Sequence, residues 1–283
     1  MDVVKGSDYK HQIKKRLTGL INIQYAPPLL ITLILLSGQF TFGILEGYKP
    51  ILLSIGCCLL TEFILSRLVY GKTRNLSSAY ITGISVGILV RTTLLWPFAI
   101  TAILSIMSKY VLRFRERHLW NPSNFGISWM LAFVPFSVAG LSIQWGNNIS
   151  PMLVIWILGL FIVWRARRLH ITAIYVISFV LFSFLRSTIT GDSFFTEVAP
   201  LTGPMYQLFV FFMITDPGTT VKNRNGQILV AFLVAFVEFI LRLNQIIYAP
   251  FYALFLVGPV ALIIHLQLNK AKQLKANPLP IKL

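Results

Sequence analysis

The sequence predicts an all-α integral membrane protein of about ten transmembrane helices. Three observations carry the prediction. Of 283 residues, 56% are hydrophobic and 12% charged, whereas soluble domains run about 45–50% apolar and about 25% charged. Ten apolar stretches approach the roughly 20 residues that a helix needs to cross the hydrocarbon core. Basic residues fall on alternate loops as those stretches are counted off, which is the positive-inside pattern.

The stretches are 27–45, 50–70, 78–90, 94–112, 124–143, 151–164, 169–186, 200–215, 226–243 and 247–267. Residues 1–25 form a basic segment ahead of them, and 8–21 could lie as a short helix on the membrane face. The segment is not a secretory leader, because the apolar part after Arg16 carries Asn22, Gln24, Pro27 and Pro28 without a small-residue cleavage pattern. A single transmembrane domain occupies 26–268, and 269–283 is a loose basic tail. Three stretches are short for a span: 78–90, 151–164 and 200–215. The first and last carry Gly, Thr and Pro, as broken helices lining a polar site do.

Of the 25 Lys and Arg, all but Lys49, Arg91, Arg186 and Arg242 fall on one side of this count, together with both termini. That side is the cytoplasm. The formal charge of +16 is therefore topology and attraction to anionic lipid rather than nucleic-acid binding. Cys57 and Cys58 are adjacent in an apolar stretch and read as packing residues. No Cys, His and carboxylate spacing suggests a metal site, no nucleophile–base pair is legible, and no nucleotide-binding motif occurs.

Polar residues inside spans are costly, about 2.5–3.5 kcal/mol for a charge at mid-membrane. Glu62 and Glu238 are therefore candidates for a proton or ion path, or for structural ion pairs. Arg242 lies four residues after Glu238, on the same helical face. For Glu62 the nearby cation is Arg67, able to snorkel toward the interface.

Three polar patches sit at membrane boundaries: Ser77–Gly83, with Thr82 and Gly83; His118–Gly126, with Trp120, Asn121, Pro122, Asn124 and Phe125; and the run from Thr202 and Gly203 to Thr215, Asp216, Pro217, Gly218, Thr219 and Thr220. Asn121-Pro122 also reads as a helix cap followed by proline at the first helical position. Together the patches read as a binding site built on helix ends. Thr82-Gly83 and Thr202-Gly203 recur five spans apart, as an inverted repeat would place them.

At these patches the sequence resembles the NqrB/RnfD family, the flavin-carrying membrane subunits of sodium-pumping quinone reductase and Rnf electron-transport complexes. The likeness covers roughly 50–265. It rests on Ser78 to Gly83 with Leu95-Trp96-Pro97, on Lys109-Tyr110 leading to His118–Gly126, and above all on Phe211-Phe212-Met213-Ile214-Thr215-Asp216-Pro217. The Thr-Asp-Pro-Gly-Thr-Thr form resembles the UnbU-type membrane proteins encoded with enediyne biosynthesis. The resemblance implies two inverted repeats of five helices, electron transfer through FMN or riboflavin, a bacterial-type cytoplasmic membrane, and redox or biosynthetic protein partners besides the lipid bilayer.

In the family an FMN is esterified to a threonine of a Ser-Gly-Ala-Thr-like motif between spans seven and eight. Here that loop holds Thr188, Thr190 and Thr196 without the motif, so the expected flavin is non-covalent. Trp120, Phe125 and Phe212 would wall its ring, and Asn121, Asn124, Thr215 and Thr219 would bond its edge. The alternative is a non-redox channel, transporter or assembly partner on the same scaffold, with Glu62 and Glu238 on the permeation path.

Overall fold

The computed structural model describes residues 26–42, 47–140 and 149–276. The basic N-terminal segment, with its expected helix at 8–21, lies outside the described residues. The chain forms α1 (Ala26–Phe42), α2 (Tyr48–Tyr70), α3 (Ser77–Leu89), α4 (Trp96–Val111), α5 (Pro122–Phe133), α6 (Ile149–Arg165), α7 (Leu169–Thr190), α8 (Phe194–Val198), α9 (Pro204–Leu208), α10 (Arg224–Leu243) and α11 (Ala249–Ala276). Two antiparallel ribbons of two-residue strands join loops: β1 (Val90–Arg91) pairs with β4 (Ala139–Gly140), and β2 (Arg113–Phe114) with β3 (Arg117–His118).

Among the described residues, four segments are long and apolar enough to cross a membrane: α2, α7, α10 and Ala249–Ala271 of α11. At 1.5 Å per residue each is about 30–35 Å long, the thickness of the hydrocarbon layer. Large apolar side chains such as Leu52, Leu68, Ile157, Ile177 and Val260 stand exposed on the outer faces, while Ser54, Ser105, Thr101, Glu62, Gln207 and Glu238 are buried. An apolar exterior over a partly polar interior suits lipid as solvent.

α2 packs on α3 and α4, and α4 on α5; α7 packs on α10, and α10 on α11. α1 lies against α3 and α6, α6 against α9, and α5 against α11. The central core gathers Ile84, Ile127, Tyr175, Phe209 and Phe251.

The expected helix at 124–143 stops at Phe133. Pro135 explains the stop: it disfavours helical backbone at Val134, which leaves the helix with φ −130 and ψ 46. The stretch 200–215 is broken as expected, into a 3₁₀ turn (Ala199–Thr202), α9 and a π-helical turn (Phe209–Met213). Pro204 separates the first two, with Gly203 extended ahead of it.

The stretch 78–90 is not broken; α3 is continuous from Ser77 to Leu89. Thr82 and Ser85 donate to their own i−4 carbonyls at 2.9 and 3.0 Å. Gly83 lets α3 press on α2, since a Cβ there would stand 2.6 Å from the Ile55 Cα. α11 runs on to Ala276, so the segment after 268 begins as helix rather than loose tail.

Candidate functional site

The strongest sequence motifs meet where α5 begins. Asn121 caps α5: its Oδ1 accepts from the Asn124 amide at 3.0 Å and from Ser123 Oγ at 2.8 Å, and Pro122 takes the first helical position. Asn121 Nδ2 then donates to Asp216 Oδ2 at 3.0 Å, 95 residues away. Asp216 folds its own loop, accepting from the Gly218 amide at 2.8 Å and Thr219 Oγ1 at 3.3 Å, while its carbonyl accepts from Thr220.

Arg117 Nη2 closes this loop from β3 by donating to the carbonyls of Pro217, Gly218 and Thr220 at 3.2, 2.7 and 3.0 Å. Gly218 leaves room for the His118 ring, since a Cβ there would fall 2.6 Å from His118 Nε2 and displace it. Burial lowers the pKa of His118, and the Asp216 carboxylate partly offsets the shift. Burial also lowers the pKa of Arg117 and Arg168 against the same carboxylate.

These bonds consume most of what a ligand would use, although Asn124 Oδ1 stays buried without a partner among the described residues. Thr215 Oγ1 donates to the Phe211 carbonyl at 2.6 Å. Asn124 Nδ2 and Trp120 Nε1 donate to carbonyls of α11, Phe251 at 3.2 Å and Phe255 at 2.9 Å. Trp120, Phe125 and Phe255 pack on one another with centroids 5.5–5.7 Å apart, Phe125 stacked on Phe255 and Trp120 edge-on to Phe125, and Phe212 packs on the core. The expected flavin walls are thus filled by each other.

The remaining predicted residues sit elsewhere. Thr82 bonds only within α3 among the described residues, and Gly83 is a packing contact. Thr188 and Thr190 donate to carbonyls of α7 at 2.7 and 3.0 Å; both they and Thr196 are exposed. Thr202 Oγ1 donates to the Ala199 carbonyl at 2.6 Å, and the Thr202 carbonyl accepts from Gln207 Nε2 at 3.1 Å.

Thr202 and Gln207 border a cavity of about 620 Å³ between α6, α7 and α9. Its walls are apolar and aromatic, with Trp156, Leu160, Tyr206 and Phe211 among them, and it has no charged residue in its lining. Gln207 is 2% exposed and its Oε1 has no partner. A buried amide oxygen of this kind is an acceptor awaiting a donor.

The two buried carboxylates that the sequence singled out, Glu62 and Glu238, are each held by tyrosine and a cation. Glu62, 3% exposed, accepts from Lys109 Nζ at 2.7 Å and Tyr110 at 2.8 Å, both at the end of α4. The expected Arg67 partner instead donates to Thr73 Oγ1 at 3.2 Å, since five residues along a helix do not bring two side chains onto one face. Glu238 does pair with Arg242, at 2.9 Å. Tyr175 and Tyr206 also donate to it, and Arg186 pairs with Glu197 nearby. A second cavity of about 580 Å³ opens here, with Arg186, Thr190, Glu197, Gly203, Tyr206 and Arg242 in its lining.

Gln207, Lys109, Tyr110, Tyr175 and Tyr206 escaped the sequence reading as site residues, although Gln207 gave a signal as the one amide within 200–215. No protein-family model matches the chain, and no curated protein does.

Proposed function

We propose that the chain is a membrane electron-transfer protein of the NqrB/RnfD type that binds a flavin non-covalently in the cavity between α6, α7 and α9. The observation that carries this reading is an apolar, aromatic-walled space of about 620 Å³ beside Gln207, whose Oε1 is buried behind the wall without a partner among the described residues. A flat heteroaromatic ring with an N–H edge answers both features. Trp156, Tyr206 and Phe211 would flank the ring, and Gln207 would bond its edge. Because no cation lines the cavity, it suits the neutral riboflavin better than FMN. When bound, such a ring supplies one- and two-electron chemistry; the chain's part is to orient it and exclude water.

The architecture we propose is ten spans in two inverted repeats of five, in a bacterial-type cytoplasmic membrane with both termini inside. The packing supports it. Counting five spans onward, with the five-residue α8 left out, the contact of α2 with α4 recurs as α7 with α10, that of α4 with α5 as α10 with α11, and that of α1 with α3 as α6 with α9. The pairs α1 with α6 and α5 with α11 join the halves. Lys109 near the end of α4 and Arg242 near the end of α10 then lie on corresponding helices near opposite faces, each gripping a buried carboxylate, although Glu62 on α2 and Glu238 on α10 do not themselves correspond.

The visible spectrum of the detergent-purified protein, before and after acid precipitation, tests the reading. Flavin bands that move to the supernatant, and that Gln207→Leu or Trp156→Ala removes, are expected. A protein still colourless after incubation with riboflavin refutes it. One observation favours the non-redox alternative: Tyr206 borders both cavities and bonds Glu238 and Arg242, which gives the outer cavity a path to a buried carboxylate. Under that reading Glu238→Gln abolishes flux and no chromophore exists to lose.

A further inference from the structure

Two guanidinium nitrogens on the side rich in arginine are buried with no acceptor among the described residues: Arg117 Nη1 and Arg168 Nη1. A buried charged N–H without an acceptor is expensive, so a fold that keeps two of them within electrostatic reach of one another points to an acceptor from outside the polypeptide. The two side chains come from different elements. Arg117 is on β3; Arg168 ends the turn between α6 and α7, after Arg167 in the left-handed region at φ 58.

Both guanidiniums lie in the field of Asp216, and Arg168 in that of Arg117 as well. Yet Asp216 forms none of the ion pairs among the described residues. Its oxygens are taken by the Gly218 amide, Asn121 and Thr219. One carboxylate already engaged by neutral donors thus faces two cations, and the balance is positive. Arg117 cannot swing away to water, because Nη2 is tied to three carbonyls of the 217–220 loop.

We propose that Arg117 and Arg168 form a binding site for a phosphate group, at the seam of the 215–220 loop and the α6–α7 turn. Two planar forks from separate elements, each with a free N–H, suit a tetrahedral oxyanion that presents several acceptor oxygens. His118 stands against the same loop as a further N–H donor. The phosphate comes from an anionic phospholipid headgroup in the adjoining leaflet or from a soluble phosphate ester. This site is independent of the flavin reading, which concerns a cavity without cations.

The test compares the full-length wild-type protein with Arg168→Gln, since loss of Arg117 would also untie three carbonyls and risk the fold. Arg165→Gln, an exposed neighbour, controls for general loss of charge. Thermal unfolding is followed in one arm against sodium pyrophosphate, with sodium chloride matched for ionic strength. In the other arm it is followed in nanodiscs of phosphatidylglycerol against phosphatidylcholine. Saturable stabilisation by pyrophosphate that Arg168→Gln weakens at least about tenfold, and Arg165→Gln leaves, assigns a soluble phosphate. The same contrast confined to phosphatidylglycerol assigns a lipid headgroup. If wild type and Arg168→Gln respond alike in both arms, water meets these nitrogens and the site does not exist.

Discussion

Removing Arg242 should harm the protein more than removing both Arg242 and Glu238. Glu238 is 0% exposed, whereas the Arg242 side chain retains 14% and borders the outer cavity of about 580 Å³. In Arg242→Met the carboxylate stays in the interior with only Tyr175 and Tyr206 to bond it, which costs about 3–5 kcal/mol for a stranded buried charge. In Glu238→Leu the guanidinium can turn into the outer cavity and find water, so the cost falls to about 1–3 kcal/mol, set largely by the two tyrosine hydroxyls left unpaired. The double variant carries the hydroxyl cost alone, about 2 kcal/mol, and recovers part of what Arg242→Met lost. Reversible unfolding in mixed dodecylmaltoside–SDS micelles, followed by tryptophan fluorescence, measures all four corners of the cycle. Additivity within about 0.5 kcal/mol would refute the reasoning, because contacting charges must couple.

Three further outcomes are expected. Gly83→Ala should cost about 1–3 kcal/mol by driving a methyl into the Ile55 backbone. Gly56→Ala, with nothing within 4 Å, should stabilise α2 by up to about 1 kcal/mol; equal effects in the same unfolding assay would contradict the packing described. Asn121→Asp keeps the cap oxygen but sets a second carboxylate against Asp216, so it should destabilise at neutral pH and recover as pH falls through the carboxylate range near 4. Asn121→Ala, which loses cap and bridge together, should show no such recovery. Finally, burial depresses the pKa of His118 from 6.5, so below about pH 6.5 the unfolded chain takes up a proton that the folded one resists. Stability should hold above pH 7 and fall on acidification, and His118→Gln should flatten that slope; an unchanged slope in His118→Gln counts against the buried neutral ring.

Local chemistry was legible in the sequence and distant pairing was not. The cap at Asn121-Pro122 is a feature of four consecutive residues, and Glu238–Arg242 follows from the helical repeat; both stand in the structure. The break of 200–215 was written in Gly203-Pro204. Pro135, by contrast, ends α5 at a point where apolar composition alone ran the helix on to 143. Glu62 found Lys109 across 47 residues, and no periodicity links positions on different helices. The same limit hid the Asn121–Asp216 bond. Each residue was recognised as part of a polar patch, but that the patches bond to one another depends on α5 and the 215–220 loop arriving at one place.

That bond changes what the polar patches mean. In a bilayer interior every polar atom must find a partner, so a constellation of Asn, Asp and Thr is ambiguous until its bonds are traced. Asn121, Asp216, Thr215, Thr219 and Thr220 bond within the chain, and they tie the start of α5 to the loop before α10. Their chemistry therefore explains the fold at that point without a ligand. The atoms left over carry a different message. Gln207 Oε1 is buried behind the wall of an apolar cavity and lacks a donor among the described residues, while Arg117 Nη1 and Arg168 Nη1 lie in the field of an engaged carboxylate and lack an acceptor among them. An orphan acceptor beside an apolar cavity selects a neutral ring with an N–H; orphan guanidinium donors select an oxyanion. The two ligand chemistries are opposite, and so are the substitutions that should abolish them: Gln207→Leu should leave phosphate-dependent stabilisation intact, and Arg168→Gln should leave any bound flavin spectrum unchanged. A single variant that removed both would mean that the two regions unfold together, and neither site could then be argued from its own unpaired atoms.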